Sequence, residues 1–149
     1  MIKVNSEIGK LKSILLHRPG KELENLTPDL LEKLLFDDIP YLKIAQEEHD
    51  LFAQTLRDEG VEVLYLTDMI SEALEAHPEV LSNFINAFIE ESKMSSLSIK
   101  RALYAFLTSL SIEDMIHKMI EGIRTSEVVI GNKESIMDML EDEYPFYTD

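Results

Sequence analysis

The densest group of side chains able to do chemistry is Glu47-Glu48-His49-Asp50, an imidazole among three carboxylates. Such a set could hold a divalent cation or move a proton. Its spacing argues against convergence. Neighbouring residues on a helix point about 100° apart, and a second ligand for His49 would stand three or four positions away. Ala45, Phe52 and Ala53 stand there instead. The four residues are therefore expected on a solvated helical face, and no metal is expected. A second group, His17-Arg18-Pro19-Gly20, follows an apolar run, in the kind of loop where α/β proteins place functional groups. The plainer reading is a turn in which Arg18 pairs with one of the many acids. His77 and His117 stand in helical contexts, and His117, between Ile116 and Lys118, is expected at a surface. There is no Ser–His–acid spacing, no HExxH and no Walker loop, and glycine is scarce. Met115, Met119, Met137 and Met139 fall at helical intervals and read as core filler. The chain has no cysteine, so it can build neither a disulfide nor a thiolate nucleophile.

The elements that must position these groups are legible. Ile14 to Leu16 is a compact apolar run stopped by Arg18-Pro19-Gly20, and reads as a buried strand. Lys21 to Lys33 is charged and reads as a loop with one helical turn, Thr27 capping and Pro28 at its first position. From Pro40 to Glu59, Leu42, Ala45, Phe52, Ala53 and Leu56 recur at helical spacing. Asp37 and Asp38 are expected at the N-terminal end of that helix, where its dipole favours negative charge. Pro40 suits the first turn and Gly60 the left-handed position after the last. Val61 to Leu66 reads as a strand, completing a β–α–β unit.

At Thr67 the composition turns helical. Thr67 is expected to cap a short helix through Leu74, and Pro78 to open a second with Leu81, Phe84, Ile85, Phe88 and Ile89 on one face. A third spans Ser98 to Ser109, with Leu103, Phe106, Leu107 and Leu110 apolar, and a fourth begins at Ser111 with Ile112, Met115, Ile116, Met119, Ile120 and Ile123. A fifth runs from Lys133 to Glu141, and Val128 to Ile130 is a short strand or an apolar loop. Helices this short are marginal alone, so they must bury their stripes against each other in a small antiparallel bundle. The fold class is α/β, mostly α, with residues 1–67 as the α/β segment and 68–149 as the helical domain.

The sequence has 149 residues, an apolar fraction of 45%, a net charge of −15 and a pI near 4.6. That supports a real core. The acidic field disfavours nucleic acid and anionic membranes as partners. With no signal-peptide pattern and no apolar run of spanning length, the cytoplasm is the expected location.

Several short motifs in order resemble the arginine deiminase family. They are Ser6-Glu7-Ile8-Gly9-Lys10-Leu11-Lys12, His17-Arg18-Pro19-Gly20, Leu34-Leu35-Phe36-Asp37-Asp38-Ile39-Pro40, Gln46-Glu47-Glu48-His49-Asp50, Gly60-Val61-Glu62-Val63 and, near the end, Tyr144-Pro145-Phe146. The resemblance implies a pseudo-fivefold α/β propeller, the pentein fold, with a helical domain inserted after the first strand–helix–strand unit. It implies conversion of arginine to citrulline and ammonia through a cysteine thiolate. Two aspartates hold the guanidinium, and a histidine and a glutamate assist proton transfer. All five of those residues correspond to positions beyond Asp149, so the resemblance assigns no catalytic residue to this chain, and no cofactor. One site element carries over: Leu35, the residue before Phe-Asp-Asp, which lines the substrate pocket through its backbone. Asp37 and Asp38 match the pattern but read as structural. The expectation is an N-terminal deiminase segment that is inactive alone and meets L-arginine only within a complete enzyme. The alternative is a non-catalytic module that associates with itself or a partner through exposed strand edges.

Overall fold

Ser13–Leu16 forms β1 and Glu62–Tyr65 forms β2, and the two pair in parallel, from Ser13 beside Glu62 to Leu16 beside Tyr65. A parallel pair cannot be closed by a hairpin; it needs a crossover. Helix α1, Leu42–Asp58, supplies it, reached through a 3-10 turn at Lys21–Asn25. The computed structural model of the chain describes residues 6, 8–26, 31 and 37–128. The expected cap at Thr27, helix at Lys133 to Glu141 and apolar pair Val129-Ile130 lie outside the described residues, as do Met137 and Met139.

Helix α1 starts later than its sequence suggests. Tyr41 is the N-cap, so Pro40 precedes the helix instead of opening it, and the first turn contains no acid. Asp37 and Asp38 lie in the bend before it, where Asp38 Oδ1 accepts the Ile39 N–H at 2.7 Å. A short carboxylate satisfying a nearby N–H is a local turn device. The far end behaves as expected. Gly60 takes φ +76°. Its N–H donates to the Arg57 carbonyl at 2.9 Å and the Val61 N–H to that of Leu56 at 3.0 Å. These two bonds satisfy carbonyls that the helix end leaves open. Ala53 is fully buried against the sheet, with Leu42, Ala45, His49 and Leu56 half-buried beside it. Phe52, expected inward, is 51% exposed. It lies about 100° round the helix from Ala53, outside the arc the two strands can cover.

From Leu66 onward the described chain is nearly all helix: α2 (Leu66–Ala76), α3 (Leu81–Glu91), α4 (Leu97–Thr108) and α5 (Ile112–Glu121), with 3-10 turns at Pro78–Val80 and Thr125–Glu127. Helix α2 leaves β2 without a break. Tyr65 is its N-cap, and Thr67, expected as the cap, lies in the first turn, its hydroxyl 3.3 Å from Asp68 Oδ1. The caps of α4 and α5 are serines. Ser96 Oγ accepts the Ile99 N–H at 3.5 Å and Ser111 Oγ the Asp114 N–H at 3.1 Å. Each satisfies a donor that the first helical turn leaves open.

Helix α2 packs on α5 and α3 on α4. Their stripes meet in one core, in which Ile85, Ile99, Leu103, Leu107, Met115, Ile116 and Ile123 are wholly enclosed. Phe84, Phe88, Phe106 and Met119 close its margins. No polar side chain is buried in it among the described residues. None of the described helices is long and apolar enough to cross a membrane. Truncating Leu103, 0% exposed, to alanine is expected to cost about 3 kcal/mol in urea unfolding. Leu97→Ala, at a 61% exposed position, should cost less than about 0.5 kcal/mol. Equal costs would mean that Leu103 is not a core residue.

Candidate functional site

Both strands point their carboxyl ends the same way, which is where open α/β sheets gather ligands. A cleft of about 580 Å³ lies there, with His17, Arg18 and Glu22 on one side, Gln46, Tyr65 and Asp68 across, and His117 and Glu121 of α5 closing it. The loop after β1 is pinned on all sides. Arg18 donates from Nε and Nη2 to the two oxygens of Asp50, each at 2.8 Å. Gln46 Nε2 donates to the Pro19 carbonyl at 2.8 Å. Glu22 Oε1 accepts the Gly20 N–H at 2.7 Å and lies 2.9 Å from His17 Nε2. A paired-fork guanidinium–carboxylate contact fixes orientation as well as distance. The hydrogen bond from Arg18, more than its charge, holds the Asp50 carboxyl below the usual carboxylate range, and Asp50 in turn raises Arg18. Arg18 thus finds its acid on the crossover helix, and the loop it sits in is held shut.

The residues Glu47-Glu48-His49-Asp50 do not converge. Three are exposed, but His49 departs from the expected solvated face and turns under α1 toward the sheet, with its side chain 13% exposed. Its ring centroid lies 5.9 Å from that of Tyr65, whose ring also faces the Arg57 guanidinium at 5.8 Å. Neither imidazole nitrogen has a hydrogen-bond partner, and the nearest acid, Asp50 Oδ1, is 3.8 Å away. No group of three or more His, Asp or Glu among the described residues could hold a metal ion. His77 is at the surface, 3.2 Å from Glu79 Oε1, and His117 is exposed at the cleft rim. Leu35 lies outside the described residues.

A polar clamp invisible in the sequence joins the two halves below the cleft. Asn25 donates through Nδ2 to the Glu121 carbonyl at the end of α5 and accepts from Arg124 Nη2 at 2.7 Å. Beside it, Lys118 donates to Glu127 at 2.6 Å and lies 3.6 Å from Glu121. The hydrogen bond with Glu127 raises Lys118 against its partial burial. Burial works to raise Glu127, but Lys118 and the Arg124 N–H outweigh it and hold that carboxyl low. No spacing signal links positions so far apart in sequence. The site can hold a loop and shape a cleft; its described residues include no nucleophile–base pair.

Because the folded pKa of Asp50 is depressed, stabilisation from its pairing is present above its ordinary value of 3.8 and is lost as pH falls through the lower folded value. Asp50→Asn is therefore expected to melt below the parent chain at pH 7, with the gap closing below about pH 4. A gap that stays constant from pH 7 to about pH 3 would remove the ion pair as its cause.

The model of the arginine deiminase family matches residues 32–149. Arginine deiminase of Clostridium perfringens is 53% identical over 149 residues, which is 99% of this chain and 36% of that protein. Arginine deiminase 1 of Staphylococcus epidermidis is 53% identical and arginine deiminase of Latilactobacillus sakei 52% identical, each over 148 residues and again with 36% of the relative's length covered. The chain thus spans about a third of the length of these curated relatives. The family model covers most of the chain and these relatives align with nearly all of it, and the chain belongs to the arginine deiminase family.

Proposed function

We propose that this chain is the N-terminal part of an arginine deiminase and that by itself it does not deiminate arginine. In that reading residues 1–67 are one segment of a pentein propeller and residues 68–149 a helical domain inserted into it. Leu35 contributes backbone to the wall of the arginine pocket. The chemistry needs a thiolate that adds to the guanidinium carbon and expels ammonia, followed by water that releases citrulline and regenerates the thiol. The observation that carries the inactivity is the absence of any cysteine from the sequence. The pinned loop of Arg18 and the clamp of Asn25 support a scaffold role, since their polar groups are engaged with one another. A net charge of −15 supports a role without nucleic acid, and the cytoplasm is the proposed location.

A second reading has its own observation. Among the described residues β1 and β2 pair only with each other. Parallel strands are ordinarily flanked by others and covered on both faces, and a free edge is a template for pairing. In this reading the chain is a self-associating module. Sedimentation velocity would then show a mass that rises with concentration, and a monomer throughout would dismiss it.

The first reading is tested by incubating the purified chain with arginine and measuring citrulline. The expected yield is that of a protein-free blank. Turnover that survives repeated purification would refute the reading.

A further inference from the structure

Among the described residues, the only enclosed side-chain nitrogens or oxygens without a hydrogen-bond partner are Nδ1 and Nε2 of His49. A neutral imidazole has one donor and one acceptor, and leaving both unmade is a standing cost. The charged and titratable groups gathered round this ring are few. Asp50 Oδ1, from the same helix, lies 3.8 Å from Nδ1. The Tyr65 ring of β2 is 5.9 Å away between centroids, and Arg57 of α1 lies over that same ring. Arg18, from the loop after β1, reaches the group through Asp50. Glu47 and Glu48 are exposed on the helix.

Protonation changes what this arrangement can tolerate. Histidine ordinarily changes charge between about pH 5 and 8. An imidazolium has two donors and no acceptor, and enclosing it unpaired costs far more than enclosing the neutral ring. Asp50 is the one carboxylate within salt-bridge distance of it among the described residues. That contact is too long for a hydrogen bond and must shorten by about 1 Å. The imidazole is 13% exposed and held between α1 and the sheet, whereas the Asp50 side chain is 50% exposed and can turn. Both Asp50 oxygens are committed to Arg18, at 2.8 Å from Nε and from Nη2. Such a fork holds the carboxylate in the guanidinium plane. Turning it inward breaks at least one of the two bonds and sets a second cation against Arg18.

We propose that His49 is a proton-operated release for the loop after β1: once protonated, it takes Asp50 from Arg18. The loop then rests on Gln46 at the Pro19 carbonyl and on Glu22 at the Gly20 N–H, and its wall of the cleft loosens. His17 belongs to the same loop, but it stands 2.9 Å from Glu22, so its protonation tightens the loop. The two histidines act in opposite senses, and the readout must be the Arg18 bond itself.

The test follows the Arg18 Nε–H by proton–nitrogen NMR in the whole chain. Its exchange with water, scaled to that of free arginine at the same pH, should accelerate about tenfold between about pH 8 and pH 5. The change should track the ring protons of His49. His49→Phe keeps an aromatic ring beside Tyr65 and takes no proton, and His49→Gln is a second variant that does not titrate. Either should hold the scaled exchange flat, and Asp50→Asn should make it fast throughout. A His49 ring signal that stays constant over that range would overturn the proposal. So would a moving ring signal with Arg18 exchange unchanged, since Asp50 would then serve both cations. The same acceleration in both His49 variants would assign it to another group and overturn the proposal likewise. Should neither variant fold, the parent chain decides: midpoints of the His49 and Arg18 titrations that fail to coincide would overturn it, and coincidence would uphold it.

Discussion

The parallel pairing of β1 with β2 is the constraint on which the rest of this chain depends. Two strands that run the same way must be joined by a connection that returns the chain to its starting edge. That requirement places α1 across the sheet. It also makes the carboxyl ends of both strands open on one side, where the cleft lies. The loop after β1 then faces the first half of α1, and Arg18 and Pro19 find Asp50 and Gln46 there. At the other end, the turn at Gly60 delivers Val61 to the start of β2, and the Glu62 N–H bonds the Lys12 carbonyl at 2.9 Å to begin the ladder. The ion pair of Arg18 stabilises a geometry that the strand pairing has already selected.

The helical part is organised on a different principle. Its four helices are short, and none would persist alone in water. They hold because seven enclosed side chains come from α3, α4, α5 and the segment just beyond, so removal of any helix exposes the faces of the others. The contact between this part and the α/β part is polar where the clamp of Asn25 lies, with Arg124 and Glu121 opposite. Ion pairs so close to solvent contribute little individually, about 1 kcal/mol or less. Their function in this position is geometric: they fix how α5 sits on the turn at Lys21–Asn25, and so fix the width of the cleft.

Local signals in the sequence located the elements well and their faces less well. Gly60 with the run Val61 to Leu66 after it marks a helix end and a strand, and Ser111 marks where the fourth helix begins. Phe52, Thr67 and Pro40 depart from their local signals because their roles depend on which arc meets the sheet and where the helix begins, and those are tertiary facts. His49 was hidden by its neighbours: three exposed acids beside it give the segment a solvated look, while the direction of its own Cα–Cβ bond turns it inward. The partner of Arg18 could be any of 29 acids on sequence grounds. Only the crossover geometry selects Asp50. Leu35 is proposed from resemblance alone, because a role exercised through the backbone would leave no mark on side-chain chemistry.

The two halves therefore differ in how completely they satisfy themselves. The core of the helical part contains no buried polar side chain among the described residues. The α/β part keeps an imidazole with both nitrogens enclosed and no hydrogen-bond partner among the described residues, 3.8 Å from Asp50 Oδ1. It also leaves Leu15, on the sheet face that the pleat turns away from α1, 52% exposed. Unpaired polar atoms and uncovered apolar surface thus fall in the same half. Burial is shallowest where the parallel pair and its crossover meet solvent, and deepest along α4, where Ile99, Leu103 and Leu107 are enclosed. The described chain is a helical core beside a two-stranded parallel pair whose outer surface is uncovered by the described residues. The asymmetry matches a family in which this stretch is about a third of the whole.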